Sequence, residues 1–206
     1  MKQIRKTTTF PLPWEKVIKL ENQLLMRFLE TEKLTDATDL MTITLGCRMG
    51  LRVNDLLQFR WKDLSDVPVG EDLIVKERKT QKLRILRMTS KIKTILGQVL
   101  RVVEPDPGHY IFSSTHGRGL KPMSVNNFNV RLRRILKSNK VRVKGNPSSH
   151  LLRKSFVLAS VKNGFRQGDA LSLVKVSRMI NHSSLSQTLS YVNFETTETL
   201  HLSELD

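Results

Sequence analysis

Cysteine is nearly absent from this chain: Cys47 is the single one in 206 residues. One thiol cannot form an intramolecular disulfide, nor can it build a zinc site made of several cysteines. We therefore expect a protein of a reducing compartment, with Cys47 as a small buried side chain. The histidines do not follow the His-x-x-x-His spacing of a metal site either, so no metal ligands and no cofactor are predicted.

Motifs of several enzyme classes are also missing. No Gly-x-Ser-x-Gly nucleophile elbow and no Walker-type phosphate loop occurs in the sequence. No apolar run reaches the roughly 18 residues that a membrane span needs. The N-terminal residues 1–9 are basic but lack the apolar core of a signal peptide. We expect a cytoplasmic protein with no membrane partner.

Acidic residues are scarce relative to basic ones. The chain has 35 Lys and Arg against 19 Asp and Glu, which gives a net charge of +16 and a sequence pI near 10.3. An excess of this size, spread along the chain, favours a polyanionic partner, and nucleic acid is the usual one. A basic surface that serves only solubility is the alternative. The apolar share of 39% allows a buried core, and no repeat or interior linker divides the chain.

Apolar spacing predicts a mainly helical chain with one hairpin. A helix should follow Pro13, with Val17, Leu20, Leu24 and Phe28 on one face. A second should begin with Asp36 as its N-cap and run toward Gly46, with a break at Gly50 and a restart near Asn54. Alternation predicts strands at 72–76 and 83–88, joined by a cationic tip at 77–82. Further helices are predicted at 90–103, after Ser124, at 150–164 and at 170–180.

One predicted helix carries an unusual density of positive charge. Arg131, Arg133, Arg134 and Lys137 lie on the helix that Ser124 opens, and Lys154 adds a charge on a later one. Such a surface suits the phosphate backbone of DNA. For any one of these side chains, a solvated cationic face is the alternative.

Tyrosine is also scarce, with two residues in the chain. One of the two tyrosines, Tyr191, follows His182 by nine residues in a segment rich in hydroxyl groups. Taken alone, a tyrosine usually serves packing. Other polar residues fall at the ends of predicted elements, namely Arg52, Lys79, His150 and Arg153. Arg52 alone could equally be a helix-end arginine paired with Asp55, so the pattern needs support from the whole set.

Four separate segments resemble the motifs of the tyrosine recombinases, the phage integrase family. The segment from Leu45 to Leu56 resembles the "TGLR-x-x-E-L" box, with Asp55 at its acidic position, and Lys79-Thr80-Gln81-Lys82 is similar to the "KTGK" hairpin. His150-Leu151-Leu152-Arg153 matches "H-x-L-R", and His182 to Tyr191 matches the spacing from "GHSS" to the family's tyrosine. The resemblance covers roughly residues 12–195.

The resemblance implies an α+β fold, a mainly helical catalytic domain with a small antiparallel β-sheet. It also implies a site-specific DNA recombinase that cleaves and rejoins double-stranded DNA through a 3′-phosphotyrosyl intermediate without a metal. Tyr191 would be the nucleophile, Arg52, Arg153 and His182 would bind the phosphate, Lys79 would protonate the departing 5′ oxygen, and His150 would assist proton transfer. The cytoplasmic location would then be at the nucleoid.

Three departures from the family pattern bear on these expectations. Lys154 follows the second arginine, where a smaller polar residue or histidine is common. Asn181 replaces the glycine before His182, and asparagine tolerates the left-handed conformation. Only about a dozen residues precede the first catalytic helix, so the chain is either a fragment without a core-binding domain or a short single-domain member. We divide it into a basic arm (1–11), a catalytic domain (12–195) and an acidic tail (196–206).

The acidic tail implies assembly. In the family, such a tail packs into a neighbouring protomer, so the resemblance implies a tetramer on DNA through tail exchange; a frayed terminus is the alternative. We also expect the Tyr191 segment to lie away from the pocket when no DNA is bound. Two other functions stay open: a type IB topoisomerase, and a catalytically silent DNA-binding regulator.

Overall fold

The computed structural model describes residues 9–192. Within them, helices dominate and the sheet has two antiparallel strands, which confirms the expected α+β class. The elements in chain order are α1 Trp14–Thr31, α2 Leu34–Met49, α3 Val53–Leu56, α4 Trp61–Ser65, β1 Asp72–Lys76, β2 Leu83–Arg87, α5 Ser90–Val103, a short 3-10 helix Thr115–Gly117, α6 Val125–Ser138, α7 His150–Arg166, α8 Ser172–Met179 and α9 Leu185–Val192. The predicted tail 196–206 and most of the arm 1–11 lie outside the described residues.

Helix α2 lies in the centre of the core and is longer than its sequence predicts. It begins at Leu34, so Asp36 lies within its first turn and does not cap it. It also continues through Gly46, because there the missing side chain lets Leu152 of α7 pack against the helix backbone. The helix ends where predicted, at Gly50, whose φ of 56° is left-handed. Phe156 of α7 packs over this glycine and fills the space that a Cβ would need.

The other elements that the sequence predicts form within a few residues of their expected bounds, whereas α4 and the short 3-10 helix were not predicted. Helix α1 buries its predicted apolar face, and the Ser124 side chain caps α6 by accepting from the Asn127 N–H. Helix α5 has its predicted bounds, and the Thr89 side chain caps it by accepting from the Ile92 N–H. Helix α8 begins two residues later than predicted, at Ser172.

The hairpin β1–β2 turns one face towards α2. Its register pairs Asp72 with Arg87 and Lys76 with Leu83, which leaves the loop 77–82 at the tip. The inward face of β2 carries Arg84 and Leu86, which are both buried. The hairpin therefore places the loop that contains Lys79 next to the C-terminal end of α2.

Helix α7 connects two apolar clusters. Its first turns, with Leu151 and Leu152, belong to the main core around α2. Its second half packs with α8 and α9 in a smaller cluster of buried residues, formed by Val157, Val161, Val176, Ile180 and Val192. Tyr191 packs against this smaller cluster, so burial of α9 against α7 and α8 fixes where the phenol lies.

None of the helices in the described part of the chain is long and apolar enough to cross a membrane.

Candidate active site

All six residues singled out by the motifs line a single cavity of about 380 Å³, although larger hollows lie beside α1. They come from five places in the fold: Arg52 before α3, Lys79 in the hairpin loop, His150 and Arg153 on α7, His182 before α9, and Tyr191 on α9. A cavity with several cations and one phenol is suited to binding an anion next to a nucleophile. The sequence motifs therefore predicted a set of residues that the fold does bring together.

Arg52 forms an ion pair with Glu77 and not with Asp55, the partner that is close in sequence. Its Nη1 lies 2.5 Å from Oε2 of Glu77 in the hairpin loop. Asp55 instead accepts a hydrogen bond of 2.8 Å from the backbone N–H of Arg78. The alternative of an Arg52–Asp55 pair is thus wrong, because the hairpin supplies the nearer partner for Arg52 and occupies Asp55 through its backbone.

Arg153 is buried in the wall of the cavity and fixed by two carbonyl groups. Its Nη1 donates to the Gly50 oxygen at 2.9 Å and its Nη2 to the Ile180 oxygen at 2.6 Å. Its Nε is buried and has no hydrogen-bond partner among residues 9–192. Burial, and then the charge of Arg52, lower the pKa of Arg153. Because guanidinium groups titrate so high, Arg153 still carries its charge at neutral pH.

A second buried arginine, Arg84, is not contained in any of the motifs. Its Nη1 donates to the Gly50 oxygen at 2.8 Å and its Nη2 to the Met49 oxygen at 2.6 Å. The C-terminal carbonyls of a helix carry partial negative charge, so they attract two guanidinium groups here. Burial, followed by repulsion from Arg153, lowers the pKa of Arg84 to about 9. Strand alternation was the available signal, because it puts Arg84 on the same face as the buried Leu86.

Glu77 is the second residue that the motifs missed. Its side chain is fully buried, and its Oε2 also accepts a hydrogen bond of 2.8 Å from the Thr80 hydroxyl. Burial alone would raise the pKa of Glu77, but the Thr80 hydrogen bond and the charges of Arg52 and Arg153 lower it below its ordinary value. Glu77 is therefore ionised at neutral pH and offsets part of the positive charge around the cavity.

His182 and Tyr191 are in direct contact. Their ring centroids lie 4.7 Å apart at an interplanar angle of 76°, an edge-to-face arrangement. The Nδ1 atom of His182 lies 2.9 Å from the hydroxyl of Thr188, which is buried. When that hydroxyl donates to Nδ1, the neutral imidazole keeps its proton on Nε2. His182 can then donate a hydrogen bond from Nε2 while it remains uncharged.

The expectation that the Tyr191 segment lies away from the pocket is wrong. Tyr191 lines the cavity, because α9 is packed against α7 and α8 through the smaller apolar cluster. Within residues 9–192, no hydrogen bond joins its phenol to either cavity arginine. The Nζ of Lys154 lies 5.3 Å from the centre of the Tyr191 ring, within the range of a cation–π contact. The other departure, Asn181, adopts the left-handed conformation of the glycine that it replaces, with φ 55°.

The two cavity histidines are both uncharged at neutral pH. Burial, followed by the charges of Arg153, Arg52 and Arg84, lowers the pKa of His182 to about 4. Burial and the charges of Arg153 and Lys154 also lower the pKa of His150. His150 is therefore able to accept a proton, whereas His182 is suited to donating a hydrogen bond.

The depressed pKa of His182 predicts a pH dependence of stability. In the unfolded chain His182 titrates near 6.5, whereas in the folded protein it titrates near 4. Between these values the unfolded state binds more protons, so the free energy of unfolding should fall as the pH falls from about 6.5 to about 4. Urea unfolding across this range should show a smaller decrease for His182→Gln than for the wild type. Equal decreases in both proteins would contradict the assignment to His182.

The basic side chains of helix α6 are of two kinds, those that bind a carboxylate and those that do not. Arg131 and Arg134 both bind Asp39, a buried carboxylate of α2, at 2.6 Å and 2.7 Å. Arg134 is exposed nonetheless, and so are Arg133 and Lys137, which form no ion pair among residues 9–192. Lys154 contacts the ring of Tyr191, which lines the cavity, and it is largely buried; this burial lowers its pKa. Contact of these five side chains with DNA stays a prediction.

A metal site was not predicted, and among residues 9–192 no cluster of three or more His, Cys, Asp or Glu side chains is placed to hold an ion.

Several solved structures share this fold. The chain superimposes on a XerA recombinase with a TM-score of 0.63 at 19% identity, which covers 93% of this chain and 62% of the other. For a XerH recombinase bound to its difH substrate after cleavage, the TM-score is 0.67 at 20% identity, with coverages of 95% and 53%. For a lambda integrase dimer bound to a COC′ core site, it is 0.62 at 18% identity, with coverages of 96% and 52%.

These similarities establish the fold, and the chain spans little more than half the length of those proteins. No curated protein sequence matches the chain. The profile of the phage integrase family, in contrast, matches residues 17–198, which include the whole cavity. The chain therefore belongs to the phage integrase family.

Proposed function

We propose that this chain is the catalytic part of a site-specific DNA recombinase that cuts and rejoins double-stranded DNA through Tyr191. The observation that carries the proposal is the cavity itself, where one phenol lies among Arg52, Arg153, Lys79 and two neutral histidines. A cavity of this composition can bind a phosphodiester and attack it.

The proposed reaction exchanges one phosphoester bond for another, so the energy of the broken DNA bond is kept in the phosphotyrosyl bond. The Tyr191 oxygen forms a bond to phosphorus, the bond from phosphorus to the 5′ oxygen breaks, and a 3′-phosphotyrosyl strand and a 5′-hydroxyl strand result. His150, uncharged because of its lowered pKa, accepts the phenol proton, and Lys79 gives a proton to the departing 5′ oxygen. Attack by a 5′-hydroxyl from another strand reverses these steps and joins the new partners.

Negative charge grows on the non-bridging oxygens as the tyrosine attacks. Fixed guanidinium groups stabilise that charge without having to reorganise, and this is the main catalytic contribution that we assign to Arg52 and Arg153. Arg153 is suited to the role because two carbonyls already fix its terminal nitrogens, and each of these nitrogens carries a second N–H that can donate to the phosphate. His182 adds a hydrogen bond from Nε2. We propose that these groups suffice without a metal.

The DNA backbone would run across the exposed cations of α6 and towards Lys154 beside the cavity. The proposal assigns phosphate contacts to Arg133 and Lys137, which are exposed, ahead of Arg131 and Arg134, whose charges are shared with Asp39. It places the protein at the nucleoid, where DNA is available. It also includes assembly of four chains on two duplexes through exchange of the acidic tail 196–206.

This division of the α6 arginines predicts a difference in salt dependence. Each lost phosphate contact should reduce the slope of log affinity against log salt concentration by about 0.9. We expect this reduction for Arg133→Gln and for Lys137→Gln, and a smaller one for Arg131→Gln because Arg131 is partly buried and Asp39 offsets part of its charge. Fluorescence anisotropy with a labelled duplex at several salt concentrations measures the slopes. A reduction for Arg131→Gln as large as that for Arg133→Gln would contradict the assignment.

Covalent capture tests the proposed function without knowledge of the target site. A library of nicked duplexes with randomised sequence is incubated with the protein, and strands that stay attached in denaturant are isolated and sequenced. A nick next to the cleavage site lets the short product diffuse away, so the covalent intermediate accumulates. We expect a recovered consensus sequence, and a nucleotide-modified peptide that contains Tyr191 by mass spectrometry.

The other outcomes separate the competing functions. Captured strands with no consensus, together with relaxation of supercoiled plasmid, would favour a topoisomerase of type IB. Retention of duplex with no covalent product would favour a silent DNA-binding regulator. Either result would overturn the recombinase proposal.

A further inference from the structure

We propose that Glu77 is a positioning residue of the cavity, which fixes the guanidinium of Arg52 for its contact with the scissile phosphate. The inference rests on the proposed function and adds a residue that none of the four sequence motifs contains. Glu77 would not touch the DNA; it would act through Arg52.

The contacts of Glu77 converge on one oxygen. Oε2 lies 2.5 Å from Nη1 of Arg52 and accepts the Thr80 hydroxyl at 2.8 Å. The side-chain amide of Asn181, next to His182 in the chain, approaches the same oxygen at the longer distance of 3.4 Å. One carboxylate thus lies between Arg52, the hairpin loop and the turn that leads to His182.

Because Glu77 is buried, its charge depends on these contacts for stabilisation. The Glu77 side chain is inaccessible to solvent, and its Oε1 has no hydrogen-bond partner among residues 9–192. A carboxylate buried in this way is tolerated only when it is paired and hydrogen-bonded. Arg52 is the one arginine within salt-bridge distance of it in the described part of the chain. The position of the Arg52 guanidinium is therefore coupled to that of Glu77.

The hairpin backbone holds Glu77 in place. Its N–H donates to the Lys82 oxygen at 2.9 Å, and its carbonyl accepts from the Gln81 N–H at 2.8 Å, so both ends of the loop are tied to it. The next residue, Arg78, donates its N–H to Asp55 beside Arg52. Lys79 lies within this closed loop. The side chain of Glu77 thus joins a hydrogen-bonded loop to the guanidinium of Arg52.

Loss of the Glu77 charge should leave Arg52 charged but poorly placed. A displacement of about 1 Å in a reacting group can reduce a rate by about 100-fold. We expect a reduction of this order in the rate of covalent complex formation for Glu77→Gln, because the amide keeps the size of the side chain but not the ion pair. DNA affinity should change little, since phosphate contacts outside the cavity dominate it.

A change in the substrate separates positioning of Arg52 from general damage to the fold. In a methylphosphonate duplex, a methyl group replaces one non-bridging oxygen of the scissile phosphate, so less negative charge develops and one guanidinium becomes dispensable. The test uses the duplex recovered by covalent capture, in phosphate and in methylphosphonate form, and measures single-turnover rates for the wild type and for Glu77→Gln. The matched control is Glu71→Gln, an exposed carboxylate ahead of β1.

We expect Glu77→Gln to lose about 100-fold on the phosphate duplex but no more than about threefold on the methylphosphonate duplex. Glu71→Gln should match the wild type on both. Should Glu77→Gln not fold, Glu77→Asp keeps the charge but withdraws it from Arg52, and a smaller loss confined to the phosphate duplex is then expected.

Equal losses on both duplexes, or no loss on either, would overturn the role of Glu77 and leave the proposed function intact. Absence of a covalent complex with the wild type would instead refute the proposed function, and this inference with it.

Discussion

Replacing Tyr191 by phenylalanine should abolish covalent capture of DNA while leaving DNA affinity unchanged. The substitution removes only the phenolic oxygen, which is the atom that we propose attacks phosphorus. Loss of a nucleophile from a cooperating set typically lowers the rate by about 10⁴-fold or more, to the background that the other groups support. Single-turnover capture on denaturing gels measures the rate, and anisotropy with a labelled duplex measures the affinity.

The chain supplies a matched control for this substitution in its only other tyrosine, Tyr110. The Tyr110 ring packs under the Arg60 guanidinium at 4.4 Å, and its hydroxyl accepts a long hydrogen bond of 3.3 Å from Arg60. Tyr110→Phe should therefore cut DNA at the wild-type rate. If the Tyr191→Phe variant still forms covalent complexes with DNA, Tyr191 is not the nucleophile, whatever other residue cuts the DNA.

Much of this site could be predicted because its members are encoded by local patterns. The boxes around Arg52, Lys79, Arg153 and Tyr191 each combine a functional side chain with a turn or a helix end. Glycine, serine and threonine around those positions indicate where the chain reverses, independently of the rest of the fold. The motifs therefore predicted both the residues and their meeting in one cavity.

The partners of these residues could not be predicted in the same way. Glu77 contacts Arg52, and Arg84 contacts the end of α2, only because the hairpin packs there, and sequence spacing does not encode that packing. Asp55 was the obvious partner for Arg52 because it is close in sequence, but the nearer carboxylate in space belongs to another element. Ion pairs between distant segments depend on tertiary structure, whereas helix caps do not.

The length of α2 is a second case in which packing overrides a local signal. The apolar spacing predicts the helix only as far as Gly46, and glycine is a common residue after the last turn of a helix. In the fold it is an internal contact point, where Leu152 of α7 needs the space. The true end, Gly50, differs in having a left-handed backbone, and its carbonyl is the acceptor shared by Arg84 and Arg153. The end of α2 thus helps to build the cavity.

The contact between Arg153 and the Gly50 carbonyl leads to a second prediction with a large expected effect, for Arg153→Lys. Lysine keeps the positive charge, but its single ammonium group cannot bridge the Gly50 and Ile180 oxygens and also present an N–H to the phosphate. Loss of one fixed donor to a developing oxyanion lowers a rate by about 10²- to 10³-fold, and we expect a loss in this range for covalent capture. The free energy of unfolding should also fall, by about 1–3 kcal/mol, because a buried carbonyl loses its partner.

Both effects can be separated from those of a general lysine substitution on the same helix. Arg166, the exposed last residue of α7, offers the control Arg166→Lys, which should match the wild type in capture and in urea unfolding. If Arg153→Lys loses stability but cuts DNA at the wild-type rate, the guanidinium serves only to join the Gly50 and Ile180 backbones. A loss of rate at unchanged affinity, in a protein that remains folded under the assay conditions, would instead mean that the fork geometry of Arg153 contributes beyond its charge.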